Sequence, residues 1–240
     1  MKKIYGDQAK YYDLIYTFKD YKKEVAVIDK LIKKNKLSSG NNLLDLGCGT
    51  GKHLAYLKKN YRCLGTDLNE GILKVAEKNV KGVAFKKADM SQLRLNKQFD
   101  VITSLFSAIG YVKTLTNFQK TIQGISSHLK PGGVVIIEPW FNKKTYKAGN
   151  PHMTTYDKPE IKIARLVVSE IKNKSVSVMD MHYLVAEKGQ KVKYFVDRHE
   201  MGLFETNDML KIMEKEGLKS KFLKNGLMKD RGLLVGVKPR

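Results

Sequence analysis

Leu43 to Leu54, LLDLGCGTGKHL, is the stretch from which the architecture of this chain can be read. Apolar residues lead into Gly47, Gly49 and Gly51, and a helical pattern starts directly afterwards, so the segment reads as a strand, a tight turn and a helix start. A backbone without Cβ takes positive φ without strain and lets a ligand approach the main chain closely. A bound molecule is therefore expected to rest on this turn. Two phosphate-binding patterns fail on spacing. In a Walker loop a Ser or Thr follows the lysine, but His53 follows Lys52, and Leu46 stands where the first glycine belongs. A dinucleotide fingerprint needs its third glycine one place later, at Lys52.

The next strand supplies the test of what the turn holds. Tyr61 to Leu68, YRCLGTDL, ends in Asp67, where an acid can grip two ribose hydroxyls as it does in dinucleotide folds; the alternative is a solvated loop aspartate. The G-x-G-x-G spacing, with Asp45 ahead of it and Asp67 after it, resembles class I S-adenosylmethionine-dependent methyltransferases. That resemblance implies S-adenosyl-L-methionine as cofactor, with Asp45, Gly47, Cys48 and Gly49 beneath it and Asp67 and Leu68 at its ribose.

Composition limits the remaining classes. With 240 residues, 42% of them hydrophobic, the chain can bury one substantial core, and no linker divides it, so residues 1–240 are expected to form a single domain. No apolar run approaches the roughly 18 residues of a membrane span, and MKKIYGDQAK lacks the apolar stretch of a secretion signal, which predicts a cytoplasmic protein without membrane association. Cys48 and Cys63 have no metal-ligand spacing. The formal charge of +21 invites a nucleic-acid partner, but the lysines come as dispersed singles and pairs such as Lys33–Lys34 and Lys86–Lys87, the pattern of a solvated surface. The charge favours an anionic substrate.

Around the glycine turn, strands and helices alternate. Tyr11, Tyr12, Asp13, Tyr16 and Tyr21 precede an amphipathic helix with Val25, Ile28, Leu31 and Ile32 on one face. Helices are predicted at Lys52–Lys59, Glu70–Asn79 and Asn117–Leu129. Strands are predicted at Tyr61–Asp67, Val83–Ala88 and Phe99–Phe106, and in VVIIE after a turn at Pro131, Gly132 and Gly133. Such alternation demands an α/β, mostly parallel, doubly wound sheet with ligands at the carboxyl ends of its strands. The glycine turn, Asp67, Asp89 with Met90, and Leu105, Phe106 and Ser107 all fall there. The resemblance makes residues 1–35 a lid, with Tyr16 and Tyr21 at the cofactor's amino-acid end, and gives Asp89 the adenine amino group and Met90 a ring face. Asp89 as the cap of a following turn is the alternative.

From about Lys144 the period changes. Glu160–Glu170, Val176–Glu187 and Lys191–Phe204 alternate with period 2, with Met179, Met181, Tyr183 and Val185 on one face, which predicts an antiparallel sheet inserted over 144–204 after the fifth strand. This sheet could pair two chains as a homodimer. Thr206 is the expected N-cap of a helix running to about Glu216, with Gly217 as its stop. Leu218–Leu223 and Leu233–Val237 would then complete a seven-stranded class I sheet with an antiparallel last strand.

Segments spread over nearly the whole chain narrow the resemblance. YYDLIY, SLFSAIGYV, EPWF, IARLVVSE, MDMHYLVAE, EMGLF and RGLLVGV, in that order, resemble the N,N-dimethyltransferases of dTDP-linked deoxy amino sugars of the desosamine and mycaminose type. The implied reaction is displacement at a sulfonium methyl by an amine lone pair, which needs alignment and dryness but no metal. The amine must be neutral, so a base can help. Tyr111, standing where the family carries histidine, and His182 are the candidates. Trp140 and Phe141, after Pro139, suit a sugar or base face. The resemblance assigns Arg231, and less directly Arg165, to the diphosphate of an anionic nucleotide-linked substrate. A nucleic-acid methyltransferase is disfavoured because SLFSAIGY replaces the Asn/Asp, two prolines and aromatic that enzymes methylating base amines carry after the fourth strand. The same scaffold also suits an enzyme for another small amine or hydroxyl acceptor, or a protein that binds the cofactor without catalysis.

Overall fold

In the computed structural model, which describes residues 9–228 and 230–240, helices α1 (Ala9–Ile15) and α2 (Tyr21–Asn35) lead into the alternating unit. It comprises β1 (Asn42–Leu46), α3 (Leu54–Leu57), β2 (Arg62–Asp67), α4 (Glu70–Asn79), β3 (Ala84–Lys87), β4 (Phe99–Ser104), α5 (Leu115–His128) and β5 (Leu129–Ile137). A second sheet follows, formed by β6 (Pro151–Lys158), β7 (Ile161–Lys172), β8 (Val176–Glu187) and β9 (Lys193–Gly202). The chain closes with α6 (Thr206–Lys215), β10 (Lys219–Leu223) and β11 (Leu233–Val237). The large sheet has the order β10-β11-β5-β4-β1-β2-β3, in which β11 runs antiparallel to both neighbours; the small one is antiparallel throughout.

Period 2 in the central strands builds a core on each face of the large sheet. Leu44, Ile102, Val135 and Ile137 point toward Phe118, Ile122 and Ile125 of α5 and Met209 and Met213 of α6. Leu43, Val101, Val134 and Ile136 point the other way, toward Val25, Ile28 and Ile32 of α2 and Leu54 and Leu57 of α3. Truncating a fully enclosed member such as Ile122 to alanine costs about 2–5 kcal/mol. Helix starts are fixed by side chains: Asp20 accepts from the N–H of Lys23 at 3.0 Å, Asn69 from that of Ile72 at 3.2 Å, and Thr114 from that of Asn117 at 3.1 Å.

Several expectations are corrected. The helix over Lys52–Lys59 shrinks to α3, because Leu54 and Leu57 are the residues that pack against the sheet there. Pro131–Gly133 lies within the span of β5 as an irregularity: Gly132 has φ +76, and its carbonyl accepts from the N–H groups of Leu37 and Ser38. Thr206 is the first residue of α6; the N-cap is Glu205, which makes no side-chain capping bond. Gly217, at φ +83, does end that helix. The inserted sheet has four strands, because β6, PHMTTYDK, starts at a proline and lies at an edge, where alternation is weak.

The inner face of the inserted sheet meets α1. Tyr11 and Ile15 pack with Ile163, Tyr183, Val185 and Phe195 in a third small core, and Tyr183 stacks on Phe195 with centroids 4.8 Å apart. Its outer face leaves Met153, Leu166, Val168, Leu184 and Tyr194 exposed. Residues 1–8 of the expected lid lie outside the described residues. No helix among the described residues is long and apolar enough to cross a membrane.

Candidate active site

One cavity of about 850 Å³ opens at the carboxyl ends of β1, β2 and β4, with α1 and the inserted sheet over it. Its floor is the turn after β1. Gly47 and Gly49 have φ of +71 and +55, the left-handed region that favours glycine. A Cβ on Gly47 would come within 2.5 Å of the Cβ of Ala108, whereas one on Gly49 meets nothing nearer than Ile72 at 3.8 Å. At Gly49 the main chain therefore stands open to the cavity. Asp67, at the end of β2, accepts the N–H of Gly49 on Oδ2 at 3.1 Å and that of Asn69 on Oδ1 at 3.0 Å.

Asp45, buried below the turn, accepts from the hydroxyl of Thr103 at 2.8 Å. Desolvation pushes its carboxyl up to about 6, against the nearby His53, which pulls it down. Asp89 caps the following 3-10 turn through Ser91, accepting its N–H at 2.8 Å and its hydroxyl at 2.7 Å, and still lines the cavity beside Met90. Leu68, Cys48, Leu105 and Phe106 line it as well. Ser107 does not: it is buried beneath, donating to the carbonyl of Pro139 at 2.8 Å and accepting from Arg231 Nη1 at 3.1 Å. Phe106 and Ser107 both take positive φ, and the N–H of Phe106 donates to buried Glu138 at 2.7 Å.

The tyrosines of the first helices reach the same space. Tyr16 packs edge-on against Phe106, with centroids 5.1 Å apart, and its hydroxyl accepts from Arg165 at 2.9 Å; Tyr21 packs edge-on against His53. Asp13 ties α1 to the glycine turn, accepting from Thr50 at 2.7 Å and pairing with Lys52 at 3.2 Å. Behind them lies a buried charge cluster in which Glu24 meets Lys19 at 2.6 Å and His53 at 2.8 Å. Burial raises the Glu24 carboxyl, but the bonds from His53 and Lys19 outweigh it and hold the group below the usual range.

At the far end Trp140 forms a wall, its indole N–H donating to Ser177 at 2.9 Å. The guanidinium of Arg231 lies 4.5 Å from the centroid of Trp140 and 4.9 Å from that of Phe141. Burial depresses the Arg231 pKa, and Glu138 opposes this. Phe141 packs behind Trp140 and Tyr146 and does not line the cavity, which corrects its expected place on the wall. Arg165 lines the cavity with Nη1 on Tyr16 and Nη2 on Thr154.

The two candidate bases separate. His182 is exposed on the outer face of the inserted sheet, with Nδ1 2.7 Å from the hydroxyl of Tyr194; alternation along β8 points Met179, Met181 and Tyr183 inward and therefore His182 away from the cavity. Tyr111 lines the cavity and touches a residue that sequence reasoning missed. Its hydroxyl lies 2.6 Å from Nδ1 of His199, whose Nε2 lies 2.7 Å from Asp197. Both are inward positions of β9, between Phe195 and Met201; two ionisable residues on the buried side of an alternating strand were the available signal. Among the described residues, no group of His, Cys, Asp and Glu is arranged to hold a metal ion.

Comparison with known proteins decides the family. A sequence profile for a methyltransferase domain matches residues 43–133. A Streptomyces venezuelae protein, dTDP-3-amino-3,4,6-trideoxy-alpha-D-glucopyranose N,N-dimethyltransferase, is 32% identical over 96% of this chain and 98% of its own. The chain belongs to the N,N-dimethyltransferases of dTDP-linked amino sugars. A second member of that family, dTDP-3-amino-3,6-dideoxy-alpha-D-glucopyranose N,N-dimethyltransferase of Streptomyces fradiae, is 26% identical over 97% of this chain and 91% of its own. The crystal structure of DesVI from Streptomyces venezuelae superposes with a TM-score of 0.90 at 32% identity, covering 98% of this chain and 99% of that one. The sugar N-methyltransferase KedS8 from Streptoalloteichus sp ATCC 53650 gives 0.88 at 26% identity, covering 100% and 94%. As in the rest of this family, the cofactor is S-adenosyl-L-methionine. The open main chain at Gly49 and the anchored carboxylate of Asp67 fit a nucleoside there.

Proposed function

We propose that this methyltransferase acts on the amine of a nucleotide-linked amino sugar. The observation that carries this reading is that one cavity of about 850 Å³ is lined both by the Gly49–Asp67 floor and by the Trp140–Arg231 wall, so that a cofactor on the floor and an acceptor at the wall share one space.

Asp67 holds the ribose hydroxyls, because a carboxylate oxygen accepts more than one bond and both are already oriented by backbone N–H groups. Gly47, Cys48 and Gly49 form the surface beneath, with Asp45 under them and Leu68 beside the ribose. Asp89 receives the adenine amino group and Met90 packs on the ring, next to Leu105 and Phe106. Tyr16 and Tyr21 close over the amino-acid end as part of a lid that includes α1 and α2. Trp140 faces the acceptor, and Arg231 and Arg165 supply charge for its diphosphate. Ser107 acts from below, by holding Arg231.

The cofactor supplies a methyl group already activated by its sulfonium charge. The chain then has to align the acceptor, keep its amine neutral and exclude water. The roof formed by α1 and the inserted sheet does the excluding. A net charge of +21 draws an anionic diphosphate toward the molecule.

The same reading pairs two chains through the outer face of the inserted sheet. Met153, Leu166, Val168, Leu184 and Tyr194 are exposed together there, and the charges among them are matched in pairs, Asp180 with Arg198 and Asp157 with Lys162. On a strongly basic molecule such a neutral apolar face is where two copies meet without charge repulsion. Sedimentation of wild type and Leu184→Lys gives dimer and monomer respectively if this is right.

The activity is tested by incubating the protein with S-adenosyl-L-methionine and a panel of dTDP-amino sugars, followed by mass spectrometry. One or two methyl groups added to an amino sugar, and none to its hydroxyl counterpart, is the expected result. Methylation confined to hydroxyl acceptors or to bulk tRNA overturns the reading.

A further inference from the structure

We propose that Tyr111, His199 and Asp197 form a proton-accepting relay at the acceptor end of the cavity, with Tyr111 the group that touches the substrate and the other two positioning residues behind it. The inference deepens the reading above and rests on the acceptor being an amine.

The relay is built by two distant segments. Tyr111 belongs to the short 3-10 helix Ala108–Val112 that follows β4, and His199 and Asp197 lie on the inner face of β9. The two segments press together at Gly110, where a Cβ would stand 2.9 Å from Met201 and 3.1 Å from Trp140, so the absence of a side chain there lets β9 approach. The contact brings the Tyr111 hydroxyl to 2.6 Å from Nδ1 of His199. On its other side, Nε2 of the same ring is 2.7 Å from Oδ2 of Asp197. Asp197 is 0% exposed and His199 4%.

The proton positions follow from what each group can do. Nε2 stands 2.7 Å from Oδ2 of Asp197, within ion-pair distance, and neither oxygen of that buried carboxylate has a hydrogen-bond partner among the described residues. Because a carboxylate oxygen only accepts, the relay assigns the ring hydrogen to Nε2, on the side of that unpartnered acid. With the hydrogen on Nε2, neutral His199 presents an unprotonated Nδ1 and accepts the hydroxyl hydrogen of Tyr111. Tyr111 then turns an oxygen lone pair toward the cavity, which suits an N–H donor. An arriving ammonium gives one proton to the tyrosine oxygen while the tyrosine's own proton passes to Nδ1. The products are a neutral amine, an intact tyrosine and an imidazolium beside Asp197. After methyl transfer the nitrogen again carries a positive charge and a proton to lose. The relay works once per methyl, its proton leaving to solvent between rounds.

The surroundings suit this task. Met179, Met181 and Met201 line this end, so a charge in the cavity is poorly solvated, and a group that removes the proton has more effect than it would in water. Among the described residues, ionisable groups around the relay include Tyr12 from α1 beside Tyr111, Tyr183 from β8 beside Asp197, Arg165 bonded to Tyr183, and the Lys113–Glu200 ion pair. Asp197 is the carboxylate in contact with the ring.

The test uses the full chain and the variants Tyr111→Phe, His199→Gln and Asp197→Asn, each checked for a cooperative melt. With dTDP-3-amino-3,4,6-trideoxy-glucose as acceptor, Tyr111→Phe and His199→Gln are expected to lose about 100- to 10,000-fold in kcat with KM nearly unchanged. Asp197→Asn, which removes the acceptor-only carboxylate facing Nε2, is expected to lower kcat by about tenfold or more with KM nearly unchanged. Folded variants with near-normal kcat overturn the relay while leaving the methyltransferase reading in place. A second measurement needs no acceptor: nitrogen NMR of the histidine rings is expected to show neutral His199 with its hydrogen on Nε2 in wild type and a mixture of the two ring tautomers in Asp197→Asn. A ring protonated on Nδ1 alone, or a tautomer unaffected by Asp197→Asn, overturns the relay whatever the acceptor. If the ring behaves as expected but wild type methylates no amine, the amine reading fails and takes the relay's role with it.

Discussion

The main-chain N–H of Gly49 donates to Oδ2 of Asp67 at 3.1 Å, joining the glycine turn after the first strand to the carboxylate that ends the second. The bond fixes the acid in the direction of the exposed main chain, and Gly49 keeps that main chain bare. Gly49→Ala should separate the two effects. At φ +55 the added Cβ strains the backbone by about 1–2 kcal/mol, with no protein atom in its way, so the fold survives with a melting point lowered by a few degrees. Cofactor affinity measured by calorimetry should fall much further than that strain explains, since the methyl group enters the cavity floor.

Asp45 predicts a pH effect on stability. Its folded pKa of about 6 stands above the ordinary 3.8, so between about pH 4 and 6 the folded protein binds more protons than the unfolded chain, and stability falls as pH rises through that window. Asp45→Asn should therefore be more stable than wild type at pH 7.5, by up to about 3 kcal/mol, and lose that advantage near pH 4. Urea titrations at the two pH values check the sign.

The Asp13 contacts with Thr50 and Lys52 latch α1 onto the glycine turn. Replacing Asp13 with alanine removes a charge-assisted bond and a half-exposed ion pair, together worth about 1–2 kcal/mol. The lid should open more often, seen as a roughly tenfold faster release of cofactor in stopped-flow and faster proteolytic cleavage near Lys19. Unchanged release would mean that α1 is not the gate.

Arg231 lines the cavity and is tied to the scaffold through Ser107. Arg231→Gln should raise KM for a diphosphate-bearing acceptor at least about tenfold while leaving cofactor affinity within about twofold. It should also lower the melting point, because buried Glu138 loses its compensating charge. Equal KM for nucleotide-linked and free amino sugars in wild type would remove Arg231 from diphosphate recognition.

Much of the fold is written locally in the chain. The alternation of Leu43 with Leu44 and Val101 with Ile102 encodes a sheet covered on both faces, and the spacing of Gly47, Gly49 and Asp67 encodes the cavity floor, because strand, turn and carboxylate are neighbours in both sequence and space. What depends on pairing between distant segments is not legible in this way. Tyr111 and His199 lie 88 residues apart, and nothing local announces their contact. His182 misleads because its role turns on which face of β8 points inward, and a histidine suits either side. Ser107 and Phe141 follow their neighbours into the site but turn behind it, to hold Arg231 and Trp140, and a strand end does not specify that turn. The edge strand β6 has too little alternation to be seen at all.

Calorimetric titration of S-adenosyl-L-methionine into wild type and Asp67→Ala tests the account most directly. Losing two hydroxyl bonds to a carboxylate, at about 1.5–3 kcal/mol each, should raise Kd by about 100-fold or more, with the melting point lowered as well because the N–H groups of Gly49 and Asn69 lose their acceptor. Equal affinity in the two proteins, both folded, would contradict the seat at Gly49 and Asp67 and everything built outward from it.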